Sequence, residues 1–220
     1  MAEVTLKFPA QGLTAPTSWG SRDSIKKMIE RIYKDYGTYI DFASKESKLP
    51  KEMIASFIAV ESGGNPKAGA SGHITQGLMQ WNRNFTKATL EREKKDGRLT
   101  KGEQDKLASY GITFDASGKT RAITNADQLK PELNILIGTI ILGQLVDTDW
   151  GTEDGEIKLD RVISVYNAGA FGDTGKKARS KTYKTPLALA NAVNTTTSGY
   201  IKKILGTNGA LEVTKEVKTA

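Results

Sequence analysis

The chain of 220 residues contains no cysteine and one histidine, His73. Without cysteine there are no disulfides, and the redox compartment is left open. A lone histidine without a thiol leaves zinc no ligand set, and no metal or cofactor is expected. Long apolar runs are missing too. The longest, Ile135 to Val146, is interrupted by Gly138, Thr139, Gly143 and Gln144; it falls short of the ~20 apolar residues of a membrane span. Met1–Lys7 has neither a basic n-region nor an apolar h-region, so no secretory signal peptide is expected. No internal repeat or low-complexity tract is present. One absence is local: there is no Asp or Glu from Ser62 through Leu90.

What is present suits a folded domain with a substantial core, at 38% hydrophobic and 26% charged residues. The formal net charge is +7. That sign favours polyanionic partners. The basic residues are spread along the chain and no nucleic-acid motif accompanies them, so nucleic acid is not the expected partner. Ile25, Met28, Ile29, Ile32, Tyr33 and Tyr36 recur at helical steps and predict a helix from Ser21 to Tyr36, ended by Gly37. A second short helix is expected near Tyr39 to Lys48. Residues 1–22, with Pro9, Gly12, Pro16 and Gly20, read as an extended arm, and residues 207–220 as a flexible tail. Ile135, Leu136, Ile137, Ile140, Ile141, Leu142, Leu145 and Val146 surround their helix on almost every side, which marks it as central.

Met53, Ile54, Phe57, Ile58 and Val60 form another apolar helix pattern, opened by Pro50 and stopped by Gly63, Gly64 and Pro66. Glu61 therefore sits where a core helix surfaces into a loop. A carboxyl held against apolar side chains keeps its proton near neutral pH and can act as a general acid. The competing reading is a solvated helix-end glutamate.

Three short stretches stand in order: Glu61-Ser62-Gly63-Gly64-Asn65-Pro66, Gly77-Leu78-Met79-Gln80 and Tyr166-Asn167-Ala168-Gly169. A helix start at Pro131-Glu132-Leu133-Asn134 lies between the last two. This order resembles the soluble lytic transglycosylase family, a branch of the lysozyme-like superfamily, over roughly residues 38–206. The resemblance implies a mainly α, lysozyme-like domain over residues 23–206 with a small irregular β flap beside the cleft. Residues 83–128 depart from the family pattern and read as an insertion, a lid or a partner-binding appendage. Within it, residues 112–115 and 119–123 are expected to pair as a hairpin, and the apolar residues to form at most a satellite cluster.

The implied substrate is the peptidoglycan glycan strand, itself polyanionic. Glu61 would protonate the glycosidic oxygen and then act as base for the muramic acid C6 hydroxyl, giving a 1,6-anhydro end. Glycosidases usually employ a second carboxylate. Goose-type lysozymes carry extra carboxylates in the flap, and the acid-free stretch after Glu61 favours the one-carboxylate route. An acid from the insertion or from Asp147–Glu156 folding back is the other possibility. Ser62 and Gln80 are candidate sugar hydrogen-bonders, Met79 an apolar wall, Tyr166 a stacking ring with a hydroxyl near the acid, and Asn167 an amide for peptide or N-acetyl groups. Tyr200 stands where family members often carry a cleft tyrosine. Trp81 reads equally as a sugar platform or a core anchor.

The alternatives are a muramidase using water and a non-catalytic phage structural protein that kept the fold. The lack of a signal suggests delivery to the wall from a phage virion or from the host cytoplasm. Other virion proteins would then be partners, through the N-terminal arm or the insertion.

Overall fold

A computed structural model describes residues 10–69 and 73–217. Its first long element, α1 (Arg22–Ser47), runs straight through Gly37. Glycine in a helix costs about 1 kcal/mol relative to alanine. Tyr36, Ile40 and Ala43 are buried around and beyond it, and that burial outweighs the cost. The two helices expected here are therefore one. Ser21 caps the start by accepting from the Ser24 amide, and Lys48 ends the helix in a left-handed conformation at φ 63°. Pro50 then opens α2 (Lys51–Ser62), in which every residue from Met53 to Ala59 is buried.

The next helices are α3 (Arg83–Lys95), α4 (Lys101–Ser109) and the single turn α5 (Asn125–Gln128). They occupy the expected insertion, and here the structure differs from the sequence reading. Leu90, Leu107 and Ile112 are completely buried, and Leu99 and Ile123 nearly so, in the same core as α1 and α2. The segment is no satellite. Its polar residues tie it down: Tyr110 donates to Glu132 at 2.6 Å, Thr100 donates to Glu46, and Arg121 makes a two-pronged ion pair with Asp127. The expected hairpin is absent. Asp115 makes a local turn, accepting from the Ser117 and Lys119 amides, while Ile112 and Ile123 turn inward to the core.

The apolar α6 (Pro131–Val146) is the central helix, buried from Leu133 to Ile140 and packed against α1, α3, α5 and the later α7. Thr152–Glu153 (β1) and Glu156–Ile157 (β2) follow as an antiparallel ribbon. Its turn is Asp154-Gly155, with both residues at positive φ. Asp-Gly is a strong hairpin signal that the sequence carried openly. The expected β flap over residues 63–75 shows no strand among the described residues; an isolated bridge joins Thr75 to Asn82.

The chain closes with α7 (Leu159–Ala168), α8 (Asp173–Arg179), α9 (Pro186–Ala192), α10 (Thr195–Leu205) and α11 (Ala210–Glu216). No described helix is long and apolar enough to cross a membrane. The fold is mainly α, as the sequence implied. The described parts of both terminal segments, however, are built into it; residues 218–220 of the expected tail lie outside the described residues. Residues 1–9 of the expected arm lie outside the described residues. Ala10 and Leu13 are buried; the Ala10 amide donates to Leu205, and the Thr207 amide donates to Leu13. The expected flexible tail is instead α11, whose Ala210, Leu211 and Val213 are fully buried against α1, α2 and α10. Arg22 at the start of α1 holds it through Asn208, Glu212 and Glu216. The apolar residues Leu211 and Val213 were visible in the sequence, but a short isolated run does not say what it packs against.

Truncation after Thr207 is expected to destabilise the fold by at least about 3 kcal/mol, since burying a Leu or Val side chain contributes roughly 1.5–3 kcal/mol each. Urea denaturation of the truncated and full chains measures this. An unchanged midpoint would restore the free-tail picture.

Candidate active site

Glu61 lies in the last turn of α2. Gly63 terminates the helix at φ 61°, its amide donating to Ala59. The turn is held from α1: Arg31 donates to the Gly63 carbonyl at 2.7 Å and Tyr36 to the Gly64 carbonyl at 3.2 Å. Gly64 sits at φ 79°, and a Cβ there would meet Ile32 at 2.9 Å. With Gly63 and Gly64 both at positive φ the chain leaves the helix here, which places Glu61 at the edge of the core.

Glu61 is partly exposed, yet burial of its surroundings pushes its carboxyl up to about 7, with the Tyr200 hydroxyl acting weakly in the other direction. Two tyrosines face it. Burial and then the charge of Glu61 raise both Tyr166 and Tyr200 well above the ordinary phenol range. The Tyr200 hydroxyl is buried without an aligned hydrogen-bond partner. No carboxylate is among the groups acting on Glu61. Asp147, in the acidic loop that was a candidate to fold back, is raised by burial and by Glu93. It caps the C-terminus of α6, near Glu93 of α3.

The stretch from Gln76 to Trp81 passes beside this acid, and α6 holds it. The Asn134 side chain accepts from the Met79 amide at 2.7 Å and donates to the Gln76 and Gln128 carbonyls at 2.9 and 2.8 Å. Gln128 in turn donates to the Ile74 and Trp81 carbonyls. Gly77 is required here: it has φ 82°, and a Cβ would lie 2.3 Å from the Gln128 carbonyl and 2.4 Å from the Asn134 amide nitrogen. Asn134 and Gln128 are completely buried. In the sequence Asn134 stands only as part of a helix start. A buried Asn on an otherwise apolar helix face was the available signal, because such a group must find partners.

The structure brings together Glu61, Tyr166 and Tyr200, and several of the other expected substrate contacts have partners within the protein. Tyr166 packs edge-on against Phe57 with ring centroids 5.0 Å apart, and its hydroxyl donates to the Met79 carbonyl at 2.7 Å. The hydroxyl's proton is thus committed to the loop. Met79, expected as an apolar wall, is fully buried, filling the space above Gly138. Gln80 spends both amide hydrogens on the Ala68 and Gly77 carbonyls, at a positive φ of 47°; its oxygen is left to accept. The Ser62 hydroxyl donates to Ile58 and accepts from Gly64, closing the helix end. Asn167 accepts from Thr197 at 2.9 Å; its amide nitrogen has no acceptor among the described residues. Trp81 is a core anchor, 2% exposed, donating to the Asn134 carbonyl. A separate hollow of about 200 Å³, lined by Lys158, Asp160, Arg161 and Tyr183 among others, lies at the opposite end of α7 from Tyr166.

The family model of the transglycosylase SLT domain matches residues 38–106. The match covers Glu61, Ser62, Met79 and Gln80, and continues through α3 into α4, which the sequence reading had placed in an insertion. It does not reach Tyr166, Asn167 or Tyr200. No curated protein matches the chain. The mainly α architecture agrees with this match in a lysozyme-like fold.

Two outcomes follow from this geometry. Asn134→Asp keeps the acceptor and replaces the donating amide by an oxygen facing two carbonyls; it is expected to cost about 2–4 kcal/mol, read from urea midpoints. A loss below about 1 kcal/mol would show that the loop is held by other means. Glu61→Gln is expected to stabilise. The folded chain binds a proton at Glu61 that the unfolded chain has already released between pH about 4.5 and about 7, so stability falls as pH rises through that window. The thermal midpoint of the Gln variant should exceed the parent's by several degrees at pH 8 and by little at pH 5. Equal midpoints at both pH values would mean that Glu61 is not desolvated.

Proposed function

We propose that this chain is a peptidoglycan lytic transglycosylase that cuts the β-1,4 bond between N-acetylmuramic acid and N-acetylglucosamine, with Glu61 as its catalytic residue. The observation that carries this reading is a single desolvated carboxyl, raised to about 7, beside two tyrosines and without a second carboxylate acting on it. The SLT match over residues 38–106 supports the same substrate class.

The chemistry follows from the protonation state. Near neutral pH a large share of Glu61 is the neutral acid, able to donate to the bridging oxygen as the C1–O bond breaks. The sugar is left with oxocarbenium-like charge at C1, and Glu61 is left as a carboxylate. That carboxylate is the nearby negative charge that stabilises the cation, a task often given to a second acid. The Tyr200 hydroxyl favours the charged form of Glu61 and so assists at this stage. The muramic acid C6 hydroxyl then attacks C1, its proton passes to Glu61, and the acid is restored. The products are a free C4 hydroxyl on one strand and a 1,6-anhydro ring on the other, with no water consumed. Tyr166 acts through structure: its hydrogen bond to Met79 fixes the 76–81 loop against the end of α7.

Glu61→Gln is expected to lower the rate of sacculus cleavage roughly 10²–10⁴-fold while the fold persists. Parent activity should decline about tenfold per pH unit above pH 7 as the acid form is lost. Mass spectrometry of parent digests should show anhydro ends. Reducing ends would identify a muramidase, and a Gln variant as active as the parent would overturn the assignment of Glu61.

A further inference from the structure

Phe171 is the most exposed large apolar side chain among the described residues, at 84%. It follows the end of α7, five residues beyond Tyr166, so its Cα lies at most about 18 Å from that of Tyr166. Its loop is nevertheless held in place. The Gly169 amide donates to Val165 and ends the helix. Arg179 of α8 reaches back to donate to the Ala170 carbonyl at 3.1 Å, and its guanidinium carbon lies 6.0 Å from the centre of the Phe171 ring. The packing of α8 against this loop is close: a Cβ on Gly175 would fall 2.0 Å from the Gly169 carbonyl oxygen. A phenyl ring is thus displayed to solvent on a pinned loop, backed by a cation, just beyond the end of α7 that carries Tyr166.

The two aromatic residues that the sequence offered for sugar stacking are occupied. Trp81 is buried, and Tyr166 is engaged with Phe57 and Met79. We propose that Phe171 is a stacking platform for a sugar ring of the glycan strand, outside the two sugars joined at the scissile bond, and that it sets a preference for longer strands. The C–H face of a pyranose packs on an aromatic face much as other apolar surfaces do, and a ring whose position is already set loses little freedom when the sugar arrives. The exposed Lys176 on α8 adds positive charge on the same short helix, which suits a strand bearing acidic groups. This inference rests on the glycan-cleaving reading of the Glu61 site.

The test compares the parent, Phe171→Ala and Phe171→Trp on peptide-free glycan strands fractionated by length. For Phe171→Ala, cleavage of long strands is expected to fall about tenfold, the equivalent of one good aromatic contact, with a smaller loss on the shortest strands cut. Phe171→Trp should keep the parent's length dependence. Thermal midpoints of all three should coincide, because the ring is outside the core. An alanine variant that matches the parent on long strands, or that loses equally at every length, would overturn the platform. A parent that cuts no strand of any length overturns the activity itself and the platform with it, a result distinct from an active parent indifferent to Phe171.

Discussion

The amide of Asn134 is the contact on which the site depends. It is a polar group buried in the central apolar helix, and burial without partners would cost it several kcal/mol. Its partners are the Met79 amide and the Gln76 and Gln128 carbonyls. Satisfying one side chain thereby anchors the loop that passes beside Glu61. Trp81 repeats the attachment by donating to the Asn134 carbonyl, and Tyr166 binds the same loop from α7. Three elements distant in sequence are held in one geometry by groups that have no water to turn to.

That geometry leaves Glu61 buried enough to hold a proton and still partly exposed. The apolar turns of α2 beneath Glu61 exclude water, while Gly63 and Gly64 end the helix within three residues of it. The folded state bears a cost when Glu61 ionises, the sign expected of a group whose environment serves chemistry rather than stability. The closing tyrosines contribute differently. Tyr166 is a strut whose hydroxyl serves the loop, and the Tyr200 hydroxyl is turned to the acid itself.

The charged middle of the chain shows how composition misleads about packing. Residues 83–128 are rich in charge, and so read as peripheral. Their charges are largely paired with one another, as in the two-pronged Arg98–Glu93 and Arg121–Asp127 contacts. The few leucines and isoleucines between them are all that is needed to join the core. A small number of large side chains decides burial, and the average polarity of a segment does not.

By itself the sequence determined the helical class, the central place of α6, and Glu61 at the junction of an apolar helix and a glycine turn. Each of these is local: a period of 3.6, an absence of polar positions, a helix stop. Gly37 shows the limit even of local rules, since a helix breaker was overruled by the packing of Tyr36 and Ile40. Tertiary structure alone decided what each polar group does. Among the candidate substrate contacts, Gln80 and Ser62 have carbonyl and amide partners within the protein, and Met79 fills the core over Gly138. The same holds for α11 and for Ala10 and Leu13, whose burial is a long-range match that no window of sequence contains. A side chain's chemistry is written in its residue type, but whether that chemistry is free or already spent depends on what the fold brings against it.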